Sequence, residues 1–416
     1  MSEWRYQTLD EHIRRGNIEL GRGDVISKID IEKYPGPYPI YSSSAQGDGK
    51  FGEYGKFMFD EELISWSVDG GGNFFYRPKH QFSVTNVSGY LRIKTKELGY
   101  RFLYYSLALQ HRDISFDYTT KAHPSVIKKL YSVPSIPKTE QDRIAEILST
   151  LDEAIEQTEA LIAKHQQIKA GLMHDLFTRG VTPDGHLRPT REQAPGLYIE
   201  SPIGWVPREW DVKLLGDLAE IVSGVTLGAK GEISDEVGVP YLRVANVQDG
   251  YFDLTEVKTI QVSRSQFEKL QLRYGDVLMN EGGDFDKLGR GSVWREEIKP
   301  CIHQNHVFRV RPRDGKLRSY FLAFWSQSEM GKKYFVLNSK QSTNLASINS
   351  TQLNRFPVVL PSSIEQERIE ARIVALNYHA DSLEQEFSKL RQQKNGLMHD
   401  LLTGHVRVPE PTDVAV

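Results

Sequence analysis

The sequence predicts an α+β protein in which two β-rich domains are separated by two long antiparallel α-helices, a coiled-coil spacer, with a pseudo-two-fold internal repeat. Three observations carry that expectation. Sliding the chain by about 225 residues lays Glu140-Gln141-x-Arg143-Ile144 on Glu365-Gln366-x-Arg368-Ile369, and Gly171-Leu172-Met173-His174-Asp175-Leu176 on Gly396-Leu397-Met398-His399-Asp400-Leu401, without a gap. A repeat with two copies is a duplicated half rather than a solenoid. Within each copy the apolar residues recur at alternating steps of three and four, the seam of a coiled coil. Between the copies the chain reads as short strands and glycine-rich turns.

In the first copy the seam runs Ile144, Leu148, Leu151, Ile155, Ile162, Leu172, Leu176, interrupted by Thr158, His165 and Lys169. The second seam runs Ile369, Ile373, Leu376, Ala380, Leu383, Phe387, Leu390, Lys394, Leu397, Leu401. Lys169 and Lys394 occupy matching seam positions, where a polar residue sets register at some cost in stability. Thr139 with Asp142, and Ser363 with Gln366, read as helix N-caps after Pro137 and Pro361. Gly180 and Gly404 stand where each helix should stop. So narrow a seam needs a partner, and the other copy supplies it.

The expected boundaries are a first domain over 1–137, a first helix over 138–180, a linker over 181–207, a second domain over 208–361, a second helix over 362–404 and a tail over 405–416. In the first domain, strands are expected at Tyr38 to Ser42, Phe57 to Phe59, Leu63 to Val68 and Tyr90 to Ile93, with a helix over Arg101 to Gln110. The second domain echoes the first loosely: Trp4-x4-Leu9-Asp10 returns as Trp210-x4-Leu215-Gly216-Asp217. The helices share both end motifs in one register while the domains have diverged, so the frame is kept and the surfaces differ.

A chain of 416 residues has room for two or more cores. One cysteine, Cys301, excludes an internal disulfide and fits a reducing, cytoplasmic setting. The longest apolar run, Tyr320 to Trp325, is far too short to span a bilayer. Net charge is −3, unevenly spread. Residues 1–136 hold 18 Lys/Arg and 16 Asp/Glu, and residues 205–361 hold 21 and 19, so each domain is +2 while the remainder carries the acid. The net charge by itself argues against a nucleic-acid binder, and +2 per domain is only a weak basic signal; the acid in the helices and linkers suits protein partners better than phosphates.

Several motifs point to chemistry and fail on context. Gly47-x-Gly49-x-x-Gly52 matches a dinucleotide fingerprint, but turn and strand residues follow it rather than a helix. Asp286-x10-Glu297-x-Lys299 can be forced into a metal-dependent nuclease pattern, with no counterpart in the first domain. His174 and His399 repeat without a second His or Cys at ligand spacing, which favours packing or partner contact over a metal. Neither a phosphate-binding Gly-Lys-Ser/Thr loop nor an Asn/Asp-Pro-Pro-Tyr/Phe stretch occurs.

The order of domain, Glu-Gln-x-Arg-Ile…Gly-Leu-Met-His-Asp-Leu helix, linker with Ser201-Pro202-Ile203-Gly204-Trp205-Val206-Pro207-x-x-Trp210, domain and helix resembles the specificity subunit of type I restriction–modification systems over essentially the whole chain. The resemblance implies a non-catalytic subunit with two target-recognition domains, each reading half of a bipartite double-stranded DNA site. It implies two modification subunits and two restriction subunits as partners. S-adenosylmethionine, ATP and Mg²⁺ would then be handled by those subunits, with no cofactor or metal in this chain and no membrane contact. A stand-alone nuclease or methyltransferase with the same recognition fold is the alternative.

Base readers are sought in polar turns present in both domains, because Arg and Lys suit guanine and Asn and Gln suit adenine in the major groove. In the first domain these are Tyr41, Ser43, Ser44, Trp66, Asn73, Thr120, Lys121 and His123. In the second they are Arg243, Asn246, Asn280, Lys287, Arg290, Lys340, Gln341 and Asn344. Lys121 and Lys340, in corresponding turns, are the first choices. Candidates for helix pairing or partner contact are Gln141, Arg143, His174, Gln366, Arg368 and His399.

Overall fold

A computed structural model of the chain describes residues 4–43, 47–69, 71–116, 121–227, 235–283, 288–341 and 346–408. It divides into two compact units, Met1–Leu161 with Leu383–Val416, and Ile162–Ser382. The long helices are Lys138–Thr178 and Ser363–Thr403, each of 41 residues. Each is therefore shared: one half belongs to one unit and one half to the other.

The helix caps lie earlier than expected, by two positions from Thr139 and by one from Ser363, both of which are inside their helices. Ser362 rather than Ser363 caps the second helix, its Oγ accepting from the Glu365 amide at 3.3 Å. In the first helix the matching position is Pro137, which has no side-chain acceptor, and its carbonyl takes the Glu140 and Gln141 amides at 3.0 Å. Both helices stop at a glycine with positive φ, Gly180 at 67° and Gly404 at 75°, where a side chain would be strained.

Inside the first unit the helix halves run antiparallel. Glu140 meets Arg407, Asp152 meets Lys394, and Ile144 and Leu148 share a core with Met398, Leu401 and Leu402. Climbing one helix descends the other. The second unit shows the same sense, with His165 near His379 and Leu176 and Phe177 packed in one core with Ile369 and Ile373. Lys394 ends on Asp152, which also accepts the Tyr105 hydroxyl at 2.6 Å, so this seam lysine pairs across helices.

The first domain is built on a six-stranded sheet in the order Ile18–Arg22, Ser88–Ile93, Phe59–Ser67, Phe74–Val84, Tyr38–Tyr41, Lys50–Tyr54. All neighbours are antiparallel except Tyr38–Tyr41, which runs parallel to Phe74–Val84. Two of the expected strands are one, Phe59–Ser67, and its neighbour Phe74–Val84 was concealed by Pro78. That proline lies in a register shift, between Leu63↔Arg77 and Glu61↔His80, where no ladder bond is required of it. The expected helix spans Tyr100–His111.

The second domain splits its strands into sheets of four (Ala219–Ser223, Val307–Pro312, Val277–Asn280, Gly291–Val293) and three (Lys258–Ser263, Glu236–Leu242, Ile302–His303), plus a small one at Gly282–Gly283, Ala346–Ser347 and Lys340–Gln341. Its plan repeats the first nonetheless. Tyr6–Thr8 pairs with Ser132–Pro134, and Asp211–Leu214 pairs with Pro357–Leu360, so each domain closes by joining its first strand to its last. The repeated leucines take equivalent bonds: Leu9 donates to the Tyr131 carbonyl at 3.0 Å and Leu215 to the Phe356 carbonyl at 2.8 Å. Gly23 and Gly224 match too, since a Cβ there would lie 2.0 Å from the Val84 carbonyl and 1.9 Å from the His303 carbonyl.

The repeated Gln is the joint between domain and helix. Gln141 accepts the Gly99 amide at 3.0 Å and donates to the Glu97 and Ile136 carbonyls. Gln366 accepts the Arg318 amide at 2.9 Å and donates to the Lys316 and Pro361 carbonyls. Both are buried, so the expectation that they face a partner or the other helix is corrected: each holds its own domain to its own helix. An amide is the one side chain able to accept one bond and donate two in that position.

Candidate nucleic-acid interface

The three candidate turns of the first domain converge. Ser43 and Ser67 join hydroxyl to hydroxyl, and the Asp69 amide donates to Ser43 Oγ at 3.2 Å. Lys121 reaches Asp69 at 2.9 Å, and the Ala122 amide donates to the Val68 carbonyl at 3.1 Å. Trp66 Nε1 donates to the Ala122 carbonyl at 2.7 Å, and His111 Nε2 meets Asn73 Oδ1 at 3.1 Å. Residues some 80 apart in sequence thus form one polar rim. Lys121 and His123 are exposed there, with Ser43 and Asn73 half-buried. His123 also caps the helix Pro124–Leu130, accepting from the Ser125 amide at 3.3 Å.

Four turns converge in the second domain. Asn280 Nδ2 donates to the Val247 carbonyl at 2.9 Å, and its amide donates to the Arg290 carbonyl at 2.9 Å. Arg290 Nη1 reaches Gln248 at 3.3 Å. The Ile348 amide bonds the Glu281 carbonyl at 2.8 Å, and Ala346–Ser347 pairs with both Gly282–Gly283 and Lys340–Gln341. Lys340 is exposed on this edge, and Arg243 is half-buried with its guanidinium 3.5 Å from Glu256.

Four candidates are corrected by burial. Trp66 is 1% exposed, Asn280 1%, Asn246 3% and Tyr41 9%. Asn246 accepts the Arg243 amide and donates to the Asp253 and Glu256 carbonyls, so its polar atoms are already used. These residues shape the turns rather than reach a base. Ser44, Thr120, Lys287 and Asn344, and the side chain of Gln341, lie outside the described residues.

Arg77 was not among the expected site residues. Its guanidinium is buried, lies 3.5 Å from the Tyr41 ring centre, donates to Ser65 Oγ at 2.9 Å and reaches the Asp48 carbonyl at 2.6 Å. Burial pushes this group down to about 10. It ties the Gly47-Asp48-Gly49 turn to the sheet. No spacing in the sequence marks it, because its partners are a carbonyl, a hydroxyl and rings. His306, 2.6 Å from Glu281 and exposed, is a second rim residue that the sequence reading overlooked.

The enzyme-like motifs dissolve in context. Gly52 lies within the strand Lys50–Tyr54, so no helix N-terminus follows the glycines. Asp286 is outside the described residues, while Glu297 accepts the Arg295 amide and Lys299 pairs with Glu296 at 2.7 Å. Among the helix candidates, Arg368 donates to the Thr182 carbonyl at 3.3 Å, His174 faces Glu329 at 3.4 Å, Arg143 is half-buried, and His399 lies beside His405. Among the described residues no helix is long and apolar enough to cross a membrane.

Two duplicated domains, each with a convergent polar rim, riding on a repeated pair of helices define a two-site recognition scaffold. The chain belongs to the type I restriction modification DNA specificity domain family, whose model matches residues 16–166 and 207–390. It is 26% identical over 414 residues to the type I restriction enzyme MjaVIII specificity subunit of Methanocaldococcus jannaschii, covering 96% of this chain and 93% of that one. It is 26% identical to the EcoBI specificity subunit of Escherichia coli, over 65% of this chain and 56% of that relative, and another match covers 48% of its relative. The fold is similar to the crystal structure of a type I restriction–modification S subunit from M. genitalium, with TM-score 0.61 and 19% identity, covering 99% and 97% of the two chains.

Proposed function

We propose that this chain is the DNA-specificity subunit of a type I restriction–modification complex, non-catalytic in itself, whose two domains each read one half of a bipartite target. The observation that carries the reading is the convergence of polar turns within each of two duplicated domains, in a chain of this family. The Lys and Arg groups at the rims, Lys121, Arg243, Arg290 and Lys340, supply phosphate or guanine contacts. Modest charge per domain is workable because partner subunits would add phosphate contacts.

The helices serve as spacer and dock. A 41-residue helix is about 60 Å long at ~1.5 Å per residue, longer than one turn of duplex at about 34–36 Å. Modification subunits, two of them, and restriction subunits outside them are the partners; double-stranded DNA is the ligand. Methyl donor, ATP and Mg²⁺ belong to those partners.

Replacing residues 208–361 with a foreign recognition domain tests the reading. Mapping methylated bases after co-expression with the modification subunit should show one half-site changed and the other retained. Change in both halves, or methylation by the isolated chain, would refute it.

A further inference from the structure

The second long helix ends in a cluster that the first lacks. His399, Asp400 and His405 each present a ligand atom, all within 4.8 Å of one another. The imidazoles of His399 and His405 lie 5.1 Å apart, centre to centre. Along the sequence these histidines are six apart, which on a continuing helix would put them on different faces. They meet because the chain turns at Gly404, whose φ of 75° only a glycine adopts freely.

Both sides of the cluster are held. On the helix side Met398, Leu401 and Leu402 are buried in the first domain's core. Past the turn, the Val406 amide bonds the Asp400 carbonyl at 3.1 Å, Arg407 grips the Glu140 carboxylate with two bonds of 2.7 and 2.8 Å, and Val408 packs on the core. The ligand groups are therefore placed by structure that does not depend on them. They also stand at a helix C-terminus, where the dipole favours a cation.

The chain contains its own control. His174 and Asp175 are the equivalents on the first helix, but the position matching His405 is Gly180. There Asp175 is paired with Arg179 at 3.1 Å and His174 with Glu329 at 3.4 Å, so the ligands are spent otherwise.

We propose that His399, Asp400 and His405 bind one divalent transition-metal ion, with two imidazole nitrogens and one carboxylate oxygen as ligands and water completing the shell. Two imidazoles select Zn²⁺, Cu²⁺ or Ni²⁺ over the hard ions Mg²⁺ and Ca²⁺. The ion fastens the segment after Gly404 to the end of the helix. Among the described residues this is the one such cluster, and the duplicated helix has no third ligand to make a second.

The test is calorimetric titration of Zn²⁺ into the full, untagged chain, beside His399→Asn, His405→Asn and, as the internal control, His174→Asn. Circular dichroism without metal checks that each variant is folded, which these exposed sites should permit. The expected result is one Zn²⁺ per native chain and per His174→Asn chain, and affinity at least tenfold weaker in His399→Asn and His405→Asn. Mg²⁺ at the same concentration should give no heat. Two equal sites, no binding at ~100 μM, or unchanged affinity in His405→Asn would overturn the proposal.

Discussion

Glu365 and Glu140 are the same residue of the repeat, yet replacing them should have very different consequences. Glu365 is 6% exposed and takes bonds from Arg188, from Trp210 Nε1 at 3.1 Å and from the Val181 amide at 2.8 Å. Arg188 is itself buried, and its one further carboxylate, Glu209, is largely solvent-exposed. Glu365→Ala strips that guanidinium of its buried counter-charge, leaving it the exposed Glu209 and the Arg179 carbonyl, and leaves an indole N–H and an amide without their acceptor, at a cost of about 3–5 kcal/mol. Glu140 is nearly as buried, but its Arg407 is 59% exposed and returns to water when the carboxylate goes. That loss is about 1 kcal/mol or less. For a unit the size of Ile162–Ser382, ~2–4 °C per kcal/mol converts the first figure to a melting shift of roughly 6–20 °C. Arg188→Met with Glu365→Leu should recover most of the loss, since apolar replacement of a buried pair is nearly neutral. Equal shifts for Glu365→Ala and Glu140→Ala, or no rescue in the double variant, would refute the reasoning.

Gln366→Ala removes three bonds at a buried joint and should cost about 3 kcal/mol in urea unfolding, with Gln141→Ala similar in the first unit. Gly224→Ala forces a Cβ to within 1.9 Å of a backbone oxygen and should destabilise the second unit by about 3 kcal/mol, read from its melting curve. His303, fully buried and bonded to the Val307 carbonyl, is held down by burial to about 4. Unfolded histidine titrates near 6.5, so the unfolded chain takes up the proton first and the stabilisation present above pH 6.5 is lost as pH falls toward 4. At pH 5 the loss from this group is about 2 kcal/mol, and urea titrations at pH 7 and pH 5 should show His303→Asn to be less pH-sensitive.

The sequence by itself determined the frame. A seam repeated every three or four residues, twice, with glycine stops, dictates two helices of equal length that must pair, because so narrow a stripe is stable only against another. It also located the turns that form both rims, since Gly, Ser, Asn and Lys stretches between apolar runs have few alternatives to being loops. What it left open was which side chain of a turn points outward. Trp66, Asn246 and Asn280 read as base contacts, yet folding spends their polar atoms on backbone groups brought near by distant strands. Gln141 and Gln366 read as helix-pairing or partner contacts within the repeated Glu-Gln-x-Arg-Ile segment, and only the packed domain shows the three backbone groups that each satisfies. The tertiary structure alone decided that each helix divides between two units, that Arg77 holds a turn through a backbone carbonyl and a hydroxyl, and that His405 meets His399. Those outcomes depend on chain reversals and on burial, which bring together groups whose separation along the sequence carries no periodic signal.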